Sequence, residues 1–396
     1  MLLSYSFSNF HSFADRAEVS FVLTQRDTAD GWFRTTKSGK RVSTAMAVMG
    51  ANGAGKSNLL KVGNFLAWFI SDSFSLPPEG RMQFMPHMAR TNKPSEFKVT
   101  YEDDEGAEWT YELKVRSDRV EYESLHKKDA SPGSRPARVF TRQVEGDTYI
   151  VSQAFGLADS EAAKVRPNVS LISWAKQYGS ESALRVATIS LATNLDMWGR
   201  KQQEASGHLD AAEYFGQNES HRESMRRLMT HWDFGLSDIR IERFSAMPRT
   251  GAGEPTTTWF AIGLHQADNQ KFELPLMLES SGTQTAFVLL WRLLPVLERG
   301  GLALMDEFEA DLHPHMVEPL VRLFHDTETN PHGAQLVFTC HSPEMLRSLH
   351  RAQVTFVEKD QCMSEAYRGD AIEGLTSQHN LYNKYLSGAL GAVPQI

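Results

Sequence analysis

The sequence is poor in cysteine, with Cys340 and Cys362 the two in 396 residues. That number excludes a disulfide-stapled scaffold and suits a reducing compartment. No apolar run approaches the roughly 20 residues that a membrane-spanning helix needs. The start, Met1-Leu2-Leu3-Ser4-Tyr5-Ser6, lacks the basic opening and apolar core of a signal peptide. Both absences point to a soluble, cytoplasmic protein without membrane contact. An excess of positive charge is missing as well. A formal net charge of −8 leaves no global field to draw the chain to nucleic acid or anionic lipid. There is no internal repeat, no low-complexity tract, no Cys-x-x-Cys pair and no sustained heptad pattern, so a long coiled coil is excluded. An apolar fraction of 41% builds a full core, and the length suits one large domain or two.

What is present is a phosphate-binding loop. Gly50-Ala51-Asn52-Gly53-Ala54-Gly55-Lys56-Ser57 fits G-x-x-x-x-G-K-[ST]. Its glycines allow a tight bend whose N–H groups point at phosphate oxygens. Lys56 reaches the β- and γ-phosphates, and the Ser57 hydroxyl helps to hold Mg²⁺. The apolar run 45–49 reads as a buried strand, and 58–70 as a helix with Leu59, Leu60, Val62, Phe65, Leu66 and Phe69 on its apolar side. Strand, loop and helix are the context the motif requires, with the helix N-terminus facing the anion. The nucleotide set is therefore Gly50, Asn52, Gly53, Gly55, Lys56, Ser57 and Asn58, with ATP and Mg²⁺ as the expected cofactors.

A second acidic site belongs on a neighbouring strand. Leu302-Ala303-Leu304-Met305-Asp306-Glu307 supplies it, with two acids at the C-terminal end of an apolar strand, where ligands sit in an open α/β sheet. Asp306 is the candidate metal residue, and Glu307 the candidate acceptor of a proton from attacking water. Upstream, Ser280-Ser281-Gly282-Thr283-Gln284 opens a helix and can present a hydroxyl and N–H groups to phosphate. Downstream come Glu309-Ala310-Asp311 and then His341 at a strand end.

Strands at 302–305, 335–339 and 354–357 alternate with helical segments, which implies a mainly parallel sheet flanked by helices. The opening residues alternate in the β manner (Leu3, Tyr5, Phe7, then Val19, Phe21, Leu23), and 96–115 reads as a hairpin turning at Asp103-Asp104-Glu105-Gly106. The expected division is an ATPase core over 1–75 and 272–396, with an inserted region over 76–271. In that insert the hairpin 96–115 is assigned to the core's β subdomain, and 168–230 reads as a charged, solvent-facing helical arm.

Phosphate loop, Ser-Gly helix start, acidic strand and strand-end histidine, in this order, resemble the ATP-binding cassette (ABC) ATPases. The opening Asn9-Phe10-His11-Ser12-Phe13 and the pair Asp306-Glu307 followed by Leu312-His313-Pro314 resemble the RecF/SMC-like branch. Ser280-Ser281-Gly282-Thr283-Gln284, Ser342, Phe356-Val357-Glu358-Lys359 and the tail Tyr385-Leu386-Ser387-Gly388-Ala389-Leu390-Gly391-Ala392-Val393-Pro394 resemble the AAA-type ATPases of bacterial abortive-infection systems, of the AbiL, RloA, PARIS and OLD kind. The likeness covers both ends of the chain and little of 76–278. His11 departs from the arginine or lysine usual in the branch, and Ser280-Ser281-Gly282-Thr283 from its Leu-Ser-Gly-Gly.

The resemblance implies a cassette head with a mainly parallel core sheet, an N-terminal antiparallel β subdomain and an inserted hairpin plus helical arm. It implies a homodimer or higher homo-oligomer in which Ser281, Gly282 and Gln284 of one head meet the partner's ATP. Glu309 and Asp311 would line the seam, His341 would sense the γ-phosphate, and Gln83 is a candidate metal contact. It further implies an ATPase (ATP and water to ADP and phosphate) that acts as sensor or regulator of a separate effector, a Toprim- or HNH-type nuclease, in anti-phage defence. The alternative is an ATPase of DNA repair or chromosome maintenance. The basic stretch with Arg34, Lys37, Lys40 and Arg41 reads first as a solvated loop or hairpin, with DNA contact the alternative; Arg222, Arg226 and Arg227 of the insert are the candidate effector contacts, with a solvated dimer-stabilising lobe as the other reading.

Overall fold

The computed structural model describes all residues except 25–30, 132, 147, 153–154, 197, 203–206, 233, 247–255 and 394–396. Part of the charged stretch 201–227 and Pro394 of the tail thus lie outside the described residues.

The strand Ala45–Gly50 is buried along its whole length. Its apolar residues alternate between two cores. Ala45, Ala47 and Met49 face one cluster, and Met46 and Val48 the other. A strand apolar on both faces needs cover on both, which favours an interior place in a parallel sheet. That is its position in a sheet ordered Leu191–Thr193, Leu302–Met305, Gln335–Thr339, Ala45–Gly50, Val354–Asp360, Met363–Arg368. Pairing is parallel except for the last, antiparallel edge. The register sets Phe338 opposite both Met305 and Ala47, and Val357 opposite Gly50. The phosphate loop, the acidic pair and the strand-end histidine therefore leave the sheet along one edge.

One face of this sheet is covered by the helix Lys56–Asp72, whose Leu59, Leu60, Val62, Phe65, Leu66 and Phe69 are buried. The far side of that helix meets a seven-stranded antiparallel sheet running from Thr148–Ser152 to Ala17–Ser20, with Leu2–Ser8 next to last. Leu3, Tyr5 and Phe7 of its strand share one face, as the period of two requires. The segments Ser95–Glu102 and Glu108–Val115 pair as a hairpin inside this sheet. The helix Ser281–Arg299 and the segment Pro314–Arg322 cover the opposite face of the core sheet.

The described helices of 168–230 differ from the expected solvent-facing arm in packing against the core. Leu171–Gln177 and Glu181–Ala187 pack on the phosphate-loop helix, and Leu191–Thr193 adds an edge strand to the core sheet. Gly207–Gln217 and Glu219–His231 lie against Ser281–Arg299, burying Phe215, Met225 and Met229. The charges line the outer side of these helices, while their apolar stripe faces inward. Charge density in the sequence conceals that stripe.

A buried polar joint ties the antiparallel sheet to the helices. The fully buried guanidinium of Arg142 donates to the carbonyls of Val169 (2.7 Å), Arg166 (2.8 Å) and Val165 (3.1 Å), 3.8 Å from the carboxylate of Glu123. Glu123 in turn accepts from Tyr111 (2.8 Å) and Ser170 (2.6 Å). Removing one member of a buried charge pair leaves the other uncompensated. Arg142→Met should therefore lower unfolding free energy by about 3–5 kcal/mol, read from urea denaturation. A loss below about 1 kcal/mol would show that the joint is dispensable.

Candidate nucleotide site

Gly55 is the N-cap of the helix Lys56–Asp72 and lies at φ 115°. A Cβ there would strike the hydroxyl oxygens of Ser364 at 2.6 Å and Ser12 at 2.7 Å, so the position needs glycine. No side chain caps this helix, and its first turn holds no acid. Its leading N–H groups remain donors to an anion, and the helix dipole adds partial positive charge there.

Lys56 is buried, and its ammonium donates to the carbonyls of Gly50 (2.9 Å) and Ala51 (3.0 Å), 3.5 Å from Nδ1 of His341. Burial holds its pKa below the usual lysine range, and the charges of Asp306, Glu309 and Glu307 oppose that effect. Asn52 and Gly53 are exposed at the loop tip, Ser57 and Asn58 are half-buried, and Asn58 donates to the Ser12 hydroxyl at 2.9 Å.

The acidic pair is held from two sides. The Thr339 hydroxyl donates to Oδ1 of Asp306 (2.7 Å) and accepts from the N–H of Glu307 (2.6 Å). From the edge strand, Asn194 clasps the backbone of Asp306 through two hydrogen bonds of 2.8 Å. Asp306 is buried. Glu307 is exposed and lies at φ 46°, a left-handed conformation that costs on the order of 1–3 kcal/mol away from glycine. Its Oε2 lies 3.1 Å from the ammonium of Lys201. Glu309 accepts from the backbone N–H of His341. Burial pushes the Cys340 thiol pKa up, which leaves it inert.

These groups fit a magnesium nucleotide. Lys56 and the uncapped helix start suit the phosphates. Ser57 and Asp306 offer the hard oxygen ligands that Mg²⁺ prefers.

The Ser-Gly segment forms a separate cluster. Ser280, rather than Ser281, caps the helix by accepting from the N–H of Thr283 at 3.2 Å. Ser281 is exposed. A Cβ on Gly282 would stand 3.1 Å from the carbonyl of Asp311, so Gly282 and Asp311 share one surface. Gln284 folds back on its own loop, donating to the carbonyls of Glu279 (2.7 Å) and Met277 (3.1 Å). Among the described residues, no hydrogen bond or ion pair joins Ser281 to the phosphate loop. Among the described residues, Gln83 makes none to Ser57 or Asp306 and its buried Oε1 has no partner.

Asn194, Lys201, Thr339 and Ser364 support the site from outside the nucleotide motifs of the sequence. Of these, Thr339 is legible as a polar residue ending an apolar strand beside His341. Asn194 and Lys201 are not, being 112 and 106 positions from their acidic partners.

The basic strip is engaged within the chain. Arg34 donates to the carbonyls of Phe33, Gly31 and His325, Lys37 to that of Asp104, Lys40 pairs with Glu108, and Arg41 lies over the Phe33 ring. Arg226 pairs with Asp238 and Glu223, and Arg222 donates to the carbonyls of Phe215 and Gly216. These arginines hold local structure, which leaves Arg227 as the exposed member of that set.

Residues 45–347 match the family described as "AAA domain, putative AbiEii toxin, Type IV TA system". The chain belongs to that AAA-domain family. Its fold is that of the ABC-type ATPase heads. A structure of an SMC head bound to the C-winged helix domain of ScpA aligns with TM-score 0.50 and 13% identity, over 92% of this chain and 96% of that one. An SMC head with coiled coil and joint from Pyrococcus yayanosii gives 0.46 and 11%, over 98% and 99%. The recombination mediator RecF with ATP gives 0.38 and 10%, over 92% and 97%. No curated protein matches the sequence.

His11 donates its backbone N–H to the carbonyl of Met85 at 2.8 Å, and burial, aided by Lys61, pulls its imidazole pKa down to about 4. The unfolded chain binds this proton first, near pH 6.5. Stability from a neutral His11 is therefore full above about 6.5 and is lost as pH falls towards about 4. His11→Asn should flatten that part of the pH–stability curve, read from thermal midpoints. An unchanged difference between the two proteins across this window would refute it.

Proposed function

We propose that the chain is a magnesium-dependent ATPase that works as a head-to-head homodimer or higher homo-oligomer. The reading rests above all on one observation. An uncapped helix N-terminus, the Lys56 ammonium and the carboxylates of Asp306 and Glu307 converge at one sheet edge. Lys56 and the helix N–H groups bind phosphate oxygens, and Ser57 and Asp306 hold Mg²⁺, which neutralises developing phosphate charge. Glu307 takes the proton of the attacking water, and His341 senses the γ-phosphate from beside Lys56. The separation of Ser281, Gly282 and Asp311 from the phosphate loop of their own chain supports completion of each site by a partner head, with Glu309 and Asp311 at the seam.

The cellular role we propose is control of a separate effector, a Toprim- or HNH-type nuclease, in bacterial anti-phage defence. The family description sets such AAA domains in a toxin–antitoxin context; the separate effector and the defence role are our proposal. DNA repair or chromosome maintenance is the second reading, favoured by the likeness in fold to an SMC head. Against it, the longest described helix between the two halves of the core, Glu219–His231, has 13 residues and packs inward. A marked stimulation of turnover by DNA would favour the second reading. No helix among the described residues is long and apolar enough to cross a membrane.

Lys56→Ala should abolish ATP binding in a fluorescent-nucleotide titration. Glu307→Gln should still bind ATP and accumulate a dimer in sedimentation, with turnover down by about 10²-fold or more. Hydrolysis by Glu307→Gln at the wild-type rate would remove the base assignment.

Completion in trans has its own test. Mixing Lys56→Ala with Ser281→Arg chains should restore part of the activity, because each mixed dimer keeps one intact composite site. No recovery in a mixture shown to contain mixed dimers would count against it.

A further inference from the structure

The segment that follows the edge strand Leu191–Thr193 runs directly over the acidic pair. Asn194 grips the backbone of Asp306 on both its N–H and its carbonyl. The chain then turns, with Asp196 accepting from the N–H groups of Trp198 and Arg200 at 2.8 Å. It returns as an isolated antiparallel bridge between Leu195 and Lys201, and Gln202 donates its N–H to the carbonyl of Asn194 at 2.8 Å. Arg292 of the helix Ser281–Arg299 fixes both ends of this turn, donating to the carbonyl of Thr193 (2.8 Å) and to Oε1 of Gln202 (2.9 Å). The result is a short, doubly anchored hairpin that delivers one ammonium, Lys201, to Glu307.

Lys201 touches Glu307 at two atoms, Oε2 at 3.1 Å and the backbone carbonyl at 3.5 Å. The carboxylate is half-exposed and the lysine side chain three-quarters covered, at 51% and 25%. An exposed ion pair of this kind adds little to stability, so a stabilising role does not account for it. Geometry does. Glu307 sits on a left-handed backbone held by Thr339, but its side chain has several rotatable bonds. An ammonium on one carboxylate oxygen fixes those bonds and leaves Oε1 as the remaining acceptor.

We propose that Lys201 is the positioning residue of the hydrolytic site. It holds Oε2 of Glu307 so that Oε1 is presented to the attacking water, in cis and from outside every nucleotide motif of the chain. This rests on the reading of Glu307 as the base. A group held in reacting geometry supplies rate, not ground-state affinity. Lys201→Met should therefore lower kcat by about 10- to 100-fold while KM for ATP and the affinity for a fluorescent ATP analogue stay within about 2-fold. Lys201→Arg, which keeps a cation on the same hairpin, should recover most of the loss. In the Glu307→Gln background, Lys201→Met should change neither the residual rate nor ATP-dependent dimer formation, because both substitutions act through one carboxylate.

The alternatives separate cleanly. An unchanged or raised kcat in Lys201→Met, with Glu307→Gln inactive, overturns the positioning role and leaves the base assignment standing. Full activity in Glu307→Gln, or a wild-type chain without turnover, overturns both. If Lys201→Met loses its cooperative thermal transition, Lys201→Gln in the same assays takes its place, and a loss of ATP affinity equal to the loss of rate marks a merely structural residue.

Discussion

The burial of the strand Ala45–Gly50 on both faces is the constraint on which the rest depends. A strand with apolar residues pointing both ways must sit inside a sheet and be covered twice. One cover is the helix Lys56–Asp72, which the same motif starts. The other is the layer around Ser281–Arg299. Because the neighbouring strands run parallel to it, the loops that follow them open at the same edge. The phosphate loop, the acidic pair and His341 are brought together by that one condition, although they are spread from residue 50 to residue 341 in the chain.

Within the site, charge and backbone geometry are arranged in opposition. Lys56 of the phosphate-loop motif is buried, and burial disfavours its charge. Three carboxylates nearby favour it. Glu307 is instead exposed and sits on a left-handed backbone held by Thr339. A buried cation and an exposed carboxylate thus stand on one edge of the sheet, an arrangement that suits the hydrolysis we propose.

The antiparallel sheet and the helices from 168 to 231 act as supports. The joint of Arg142 and Glu123 clamps the first to the second, and the edge strand Leu191–Thr193 carries the clamp on to Asp306 through Asn194. The middle of the chain thus reaches the acidic pair physically. Arg34, Lys37, Lys40, Arg41, Arg222 and Arg226, which look free in the sequence, are engaged here in local contacts.

The sequence by itself determined the core. A phosphate loop, an apolar strand ending in two acids and alternating strands and helices are local patterns, set by hydrophobic periodicity and by the stereochemistry of glycine. The hairpin 96–115 was legible for the same reason. The tertiary structure alone decided the rest. That the described helices of 168–231 pack against the core depends on which face of each short helix finds an apolar partner, and a charged outer face conceals that in the sequence. Asn194 and Lys201 come to lie beside Asp306 and Glu307 only because Leu191–Thr193 pairs with Leu302–Met305. Such pairing across more than a hundred residues leaves no local signature, since its energy lies in contacts that exist only once the sheet has formed.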